Sequence, residues 1–425
     1  IENSLSNAMN AAKTTHDRVF ILWSIMPWSW FMVCCNKGHG LNIPKSARVS
    51  ALILGERQAC MADNDQLLDA TTALVPPLLS AMEALRAAGR HMNPTSLPEL
   101  VAAIRPQQQG LAQGLDIFQS IDWPEHLQSF VAAVTRSAVQ GLRAFESFEE
   151  ALEAPQPVFV AYRAMGLTTK AIEALYPVAA MLPPVSRFYL EPDYRDNAEL
   201  LERLAAVDAG AENVGLMHAN NGADKRGGFS VYVPEYYAGE TVPLALALHG
   251  GSGHGRQFIW SWLRAARTHN CIVIAPTSVE NTWSLMDPAT DAQRLNSLVA
   301  YANEHWNIDS QRVLLGGMSD GGTFSYVAGL QDGTAFTHLA PCSASFHPML
   351  VEAASAERLI GLPMYLIHGA LDWMFPVDVA RTAQQALQAA GAQVVYSEVD
   401  DLSHTYPEEY SAKILNWLKE PAAAR

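Results

Sequence analysis

The feature that most constrains this chain is Val313-Leu314-Leu315-Gly316-Gly317-Met318-Ser319-Asp320-Gly321-Gly322, an apolar run that passes through G-x-S-x-G into a helical stretch. A strand that turns into a helix at one residue holds that residue in strained backbone geometry. Side chains two positions to either side would collide with the neighbouring strand or helix, so glycine is demanded there. The spacing therefore predicts a nucleophile elbow, with Ser319 lifted above a sheet at a helix N-terminus. Backbone N–H groups and the helix dipole favour a developing anion at such a place.

An elbow needs a parallel sheet beneath it, and the flanking sequence predicts one. Short apolar runs at 229–233, 243–248, 271–275, 313–316, 338–342, 364–368 and 394–399 alternate with helical stretches at about 256–268, 291–304, 320–330, 377–390 and 407–418. This alternation is that of an α/β fold with a doubly wound, mostly parallel sheet. The polar, glycine-rich residues 211–228 read as a linker or loop leading into it, which gives a catalytic domain over 211–425.

Serine is a weak nucleophile at neutral pH and needs a base, which in turn needs an orienting acid. His404 follows the last apolar run and precedes the final helix, and Asp372 ends His368-Gly369-Ala370-Leu371-Asp372 just beyond the 364–368 run. Both fall where ligands and catalytic groups collect in open α/β sheets, at strand carboxyl ends. Asp378 is a rival acid better suited to a helix first turn, Asp400 and Asp401 lie too near His404, and His368 and His347 are packed or substrate-facing side chains. Two backbone donors are expected for the oxyanion, each worth about 3 kcal/mol. One is the N–H of Asp320. The other is the N–H of Gly251 or of Ser252, in the glycine loop His249-Gly250-Gly251-Ser252-Gly253. That loop is not a phosphate cradle, because no Gly-Lys-Ser/Thr follows. His249, Gly250, Trp283, Trp373 and Phe375 are candidates for substrate contact, with Trp260 and Trp262 more distant aromatics.

Upstream, residues 61–210 carry a helical period through Leu67, Leu68, Leu74, Val75, Leu78, Leu79, Met82 and Leu85, with a kink or break expected at Pro76-Pro77. Asp122 before Trp123-Pro124-Glu125 predicts an N-cap for a long amphipathic helix through Phe145, and further helices are expected at 158–180 and 196–206. This helical domain is expected to pack on its neighbour, form a homo-oligomer, or act as a cap. Residues 1–60 differ again: they hold three of the five cysteines, and six Lys/Arg against three Asp/Glu in a chain of net charge −15. They read as a non-native leader ahead of Met61, or as a signal or anchor built on the uncharged run 19–35.

Forty-three acidic residues against 28 basic ones provide no basic field for nucleic acid or for an anionic membrane. Cys34, Cys35, Cys60, Cys271 and Cys342 fit neither a disulfide framework nor a zinc site, so a reducing, cytoplasmic setting and no metal are expected. If 19–35 is a targeting segment, the protein is secreted or anchored instead.

Together, HGG at 249–251, GMSDGG at 317–322, HGALD at 368–372 and Asp401-Leu402-Ser403-His404 resemble the phospholipase/carboxylesterase branch of the α/β-hydrolase superfamily. They are also similar to polyhydroxybutyrate-depolymerase-like and feruloyl-type bacterial esterases, and the likeness covers about 229–418. The resemblance implies a cofactor-free serine hydrolase with Ser319 as nucleophile, His404 as base and Asp372 as orienting acid. The family often has Gln or Ala where this chain has Asp320, whose carboxylate would disfavour anionic substrates. The expected substrate is a small neutral ester with a short to medium acyl or an aryl group. Thioesterase, acyltransferase, lipase, peptidase, polyester hydrolase or feruloyl esterase activity would use the same triad, and an inactive scaffold for partner binding is the non-enzymatic alternative.

Overall fold

The computed structural model describes residues 47–207 and 211–420, with side chains from residue 64. The run 19–35 and most of the atypical leader lie outside the described residues. The chain packs as two compact units, one of residues up to 88 with 101–188, the other of 89–100 with everything from 189 onward. The division thus falls at 188/189, not at the 210/211 boundary read from composition.

The first unit is all helical. Its helices are α1 (Ala47–Arg90, whose last two residues belong to the second unit), α2 (Leu97–Gln119, whose first four residues do likewise), α3 (Gln128–Glu153), α4 (Pro157–Leu175) and α5 (Pro183–Phe188). Contrary to the expected break, α1 runs unbroken through Pro76 and Pro77. Leu74, Val75 and Leu78 are buried around the prolines, so tertiary packing outweighs the local penalty. Pro77 has no N–H to offer the Ala73 carbonyl, and Gly114 of α2 lies against that freed carbonyl. A Cβ on Gly114 would sit 2.4 Å from the oxygen. Asp122 does not cap α3. The helix is led in by a 3-10 turn, Glu125–Leu127, starting from Pro124 with no side-chain cap, and the Trp123 indole donates to the Phe118 carbonyl at 2.8 Å. Between α3 and α4 the buried Ser137 hydroxyl donates to the Ala171 carbonyl at 2.9 Å.

The second unit begins with α6 (Ala198–Ala205), capped by Asn197, whose side chain accepts from Leu200 N. Its sheet has eight strands: β1 (Gly215–Ala219), β2 (Phe229–Val233), β3 (Val242–Leu248), β4 (Ile272–Pro276), β5 (Ile308–Met318), β6 (His338–Cys342), β7 (Pro363–Gly369) and β8 (Gln393–Val399). The strand order is β1-β2-β4-β3-β5-β6-β7-β8, with β2 antiparallel to both of its neighbours, β1 and β4, and all other pairs parallel. β1 lies within the stretch read as linker. It is an edge strand of five residues with only partial burial, so it lacks the apolar run that marks the others. The helices are α7 (Gly255–Phe258), α8 (Trp260–His269), α9 (Ala289–His305), α10 (Asp320–Gly329), α11 (Met349–Ala353), α12 (Ala356–Leu359), α13 (Asp378–Ala389) and α14 (Glu409–Lys419).

The central strands are apolar on both faces because helices cover both. Leu244, Leu246, Leu248, Ile272, Ile274, Val313 and Leu315 are buried on one face and Ala245, Ala247, Val273, Ala275 and Leu314 on the other. The chain steps one way from β3 to β4 and the other way from β4 through β5 to β8. With right-handed crossovers, that reversal places α8 and α14, which pack together, opposite α9, α10 and α13. It also opens a crevice at the carboxyl ends of β3 and β5, the topological switch point of the sheet.

Candidate active site

Ser319 stands at the end of β5 with φ 55° and ψ −119°, a strained conformation for a non-glycine residue. Its N–H donates to the Cys342 carbonyl of β6 at 2.9 Å, and its carbonyl accepts from Thr323 N at 2.8 Å, so the strain is held from both sides. The glycines around it are sterically required. A Cβ on Gly317 would lie 2.6 Å from the Gly321 carbonyl carbon, and one on Gly321 would lie 2.4 Å from Leu248 O and 2.5 Å from His249 O.

Three side chains from the ends of three different strands meet here. The Ser319 hydroxyl donates to His404 Nε2 at 3.0 Å, and His404 Nδ1–H donates to Asp372 Oδ2 at 2.8 Å. All three are buried. The other Asp372 oxygen accepts from the N–H groups of Met374 (2.9 Å) and Phe375 (2.8 Å), in the turn that leaves β7. Burial alone raises the Asp372 pKa. The hydrogen bond from His404, the two amides and the His404 charge outweigh that effect and hold the carboxyl below its ordinary value. An acid kept ionised in this way keeps the imidazole in the tautomer whose Nε2 faces the serine.

The loops that carry these groups are themselves held. His368, buried at the end of β7, donates from Nε2 to the Phe375 carbonyl at 2.9 Å and lies 3.5 Å from Asp372 Oδ2. It braces the acid turn and does not meet Ser319. His347 is exposed and accepts from Met349 N at the start of α11, and Asp378 opens α13 and pairs with Arg381 at 2.8 Å. The His404 loop is gripped by Arg90, whose Nη2 is 2.9 Å from Asp401 and whose Nε is 2.7 Å from Glu409, while the Thr405 hydroxyl donates to the Arg90 carbonyl. Nothing in the local sequence pairs position 90 with positions 401 and 409, so this brace was not visible in the sequence.

After β3, the glycine loop lies against Ser319: a Cβ on Gly250 would be 3.4 Å from Ser319 Cβ. Ser252 adopts φ 56°, and its N–H donates to the Asn281 carbonyl at 2.9 Å. That amide is spent, so of the two loop amides left open by the sequence the Gly251 N–H is the one without a partner among the described residues. Arg226 ties this loop to the loop after β4, donating to the carbonyls of Gly253 (3.1 Å), Ser278 (3.2 Å) and Asn281 (3.3 Å). Neither Arg226 nor Asn281 belongs to any motif that sequence inspection singles out.

Two of the residues expected to touch substrate do not face the site. His249 is buried, with Nδ1–H donating to Gly250 O at 2.7 Å and Nε2 accepting from Ser278 N at 3.1 Å; burial pushes its pKa down to about 4. Trp283 is 2 % exposed, stacks on Phe324 at 5.5 Å, and donates from its indole to the His249 carbonyl at 2.8 Å. An apolar ring with one buried donor is satisfied better by the core than by a wet cleft. Both residues hold the glycine loop from behind. Trp260 and Trp262 are likewise buried. Trp373 and Phe375 do stand beside the base, edge-on to the His404 ring with centroids 6.2 and 5.3 Å away, and Trp373 is 44 % exposed.

Among the described residues no cluster of metal-ligating side chains occurs, and no helix is long and apolar enough to cross a membrane. Cys271 and Cys342 are both buried free thiols.

Residues 286–421, which include Ser319, Asp372 and His404, match the phospholipase/carboxylesterase family, the family expected from the sequence, and the sheet is that of an α/β-hydrolase. A bifunctional acetylxylan esterase/xylanase of Neocallimastix patriciarum is 31% identical over 146 residues, 33% of this chain and 21% of that protein. The chain thus spans about a fifth of the length of this curated relative. Among solved structures, a thermostable esterase is similar at 19% identity and TM-score 0.37, over 48% of this chain and 60% of the other. An acetyl xylan esterase from Aspergillus awamori is similar at 15% identity and TM-score 0.38, over 48% of this chain and 98% of the other.

Proposed function

We propose that this chain is a serine-dependent carboxylic-ester hydrolase acting through an acyl-enzyme. The observation that carries the reading is the unbroken hydrogen-bond series from Ser319 Oγ through His404 to Asp372. As Ser319 Oγ bonds to the ester carbonyl carbon, its proton passes to His404 Nε2, and Asp372 stabilises the imidazolium that forms. The carbonyl oxygen, now an anion, is received by the N–H groups of Gly251 and Asp320. Collapse breaks the bond to the alcohol oxygen, which leaves with the proton from His404. Water then enters, gives a proton to the same nitrogen and attacks the acyl carbon, and the acid departs with Ser319 restored.

The exposed apolar side chains of the acid loop, Leu371, Trp373 and Met374, favour a short to medium acyl or an aryl group beside His404. The same triad would serve thioester cleavage, acyl transfer, or feruloyl, polyester or sugar-ester hydrolysis. The acetylxylan esterase similarity makes acetylated sugars one substrate to include. Hydrolysis of p-nitrophenyl esters from acetate to palmitate, by the protein and by Ser319→Ala side by side, tests the reading. Loss of activity and of fluorophosphonate labelling in the variant is expected; equal turnover by both proteins overturns it.

A further inference from the structure

Beside the triad, one carboxylate keeps most of its lone pairs open to the crevice. The Asp320 side chain turns back from the first turn of α10 onto the glycine loop, where a Cβ on Gly251 would lie 2.8 Å from Oδ2. Its recorded partner is the Thr282 hydroxyl, which donates to Oδ2 at 2.5 Å. Oδ1 meets no donor among the described residues. An ionised carboxylate has about four lone-pair positions, so beyond the Thr282 hydroxyl it can accept further donors from solvent or from a molecule in the crevice. Asp320 and Thr282 are half-buried and Gly251 is exposed, so the group is open to a molecule in the crevice. Among the described residues no basic side chain pairs with it.

The sheet order fixes where this charge lies. The loop after β3, with Asp320 against it, is on one side of Ser319, and the acid loop after β7, with Trp373 and Phe375, is on the other. An ester bound across Ser319 therefore meets an apolar rim on one side and a carboxylate open to the crevice on the other.

We propose that the Asp320 carboxylate is a specificity-determining group: it selects esters whose alcohol part carries a hydrogen-bond donor or a positive charge close to the reacting bond, and rejects esters with a carboxylate there. The inference rests on the ester-hydrolase reading and adds a substrate class to it. A donor in the substrate completes the shell of a charged acceptor. An anionic substrate brings a second negative charge to a place that already has one, next to where the oxyanion forms.

The test holds the acyl group constant as acetate and varies the alcohol: propyl acetate as neutral reference, ethylene glycol monoacetate for a hydroxyl donor, acetylcholine for a cation without a donor, and acetoxyacetate for an anion. In the wild-type protein, kcat/KM relative to propyl acetate is expected to be about tenfold higher for the glycol ester and about tenfold lower for acetoxyacetate. A raised glycol ratio with an unchanged choline ratio assigns recognition to donation, and the reverse assigns it to charge. In Asp320→Asn the acetoxyacetate ratio should rise to near one, and in Asp320→Ala the glycol advantage should vanish as well. Reading ratios removes any loss common to all four esters. Flat ratios in the wild-type protein, with activity still dependent on Ser319, overturn this inference alone and need no variant to fold. Activity that survives Ser319→Ala overturns the ester-hydrolase reading instead.

Discussion

Replacing Gly321 with alanine sets a methyl group against peptide backbone on the wall between nucleophile and oxyanion loop. The new carbon would lie 2.4 Å from Leu248 O, 2.5 Å from His249 O and 2.7 Å from Leu248 C, all backbone atoms that no rotamer change can move. Restoring ordinary contact requires a shift of roughly 1 Å between α10 and the end of β3, and overpacking of this kind costs about 1–3 kcal/mol. For a unit of 150–250 residues each kcal/mol lowers Tm by about 2–4 °C. The larger effect is on rate, since the shift separates Ser319 and Asp320 N–H from the Gly250-Gly251 loop, and misplacement by 1 Å costs about 100-fold. Steady-state hydrolysis of p-nitrophenyl acetate and thermal unfolding of Gly321→Ala measure the two effects separately. Gly333→Ala is the control: that glycine has φ 73° and nothing within 4 Å of its Cβ position, so the change costs about 1–2 kcal/mol of backbone strain and leaves kcat/KM alone. Gly321→Ala with wild-type kcat/KM, or Gly333→Ala with an equal loss of activity, would refute the steric argument.

Asp372→Asn should lower kcat by about 10⁴-fold, because an amide cannot hold the imidazole in its working tautomer or stabilise its charged form; a loss under tenfold in single-turnover acylation would remove Asp372 from that role. Its carboxyl is held below its ordinary 3.8, so the stability it contributes is present above that pH and is lost as pH falls through the lowered value. His249 behaves differently: its pKa falls from 6.5 to about 4 on folding, so between those values only the unfolded chain takes up the proton. Stability should therefore decline from pH 6.5 toward 4 by up to about 1.4 kcal/mol per pH unit on its account. Urea unfolding of His249→Gln at pH 7, 6 and 5 should give a flatter decline than the wild-type protein, although His269, also lowered to about 4, keeps some slope in both. Equal slopes would mean that His249 is protonated in the folded state.

What the sequence made legible follows from how local each constraint is. Ser319, Asp372 and His404 each follow an apolar strand within a few residues, and Gly317 and Gly321 are recognisable by their spacing from Ser319, although the backbone a Cβ on Gly321 would meet, at Leu248 and His249, lies about seventy residues away. Such constraints leave a mark in a short window. The choice between Gly251 and Ser252 depended on the Asn281 carbonyl, contributed by a loop about thirty residues away, and could not be made from spacing. His249 and Trp283 were misjudged for a related reason. They flank the site in sequence, but their polar atoms are satisfied by Ser278, Gly250 and each other behind the loop. The prolines of α1 misled because helix propensity is a local quantity, while Leu74, Val75 and Leu78 are fixed by burial. β1 escaped because an edge strand with partial burial carries little apolar signal.

The grip of Arg90 on Asp401 and Glu409 bears on where this chain can be divided. The polypeptide passes between its two units at 88/89, 100/101 and 188/189, so neither unit is one continuous stretch and no single cut releases either of them whole. A fragment begun at residue 211, the boundary suggested by composition, would contain every reacting atom of the triad. It would lack the guanidinium that pins the two ends of the His404 loop, and it would leave Asp401 and Glu409 without that counter-charge. The shortest piece expected to keep the base in register with Ser319 thus reaches back at least to the end of the first helix, more than three hundred residues before the histidine it steadies.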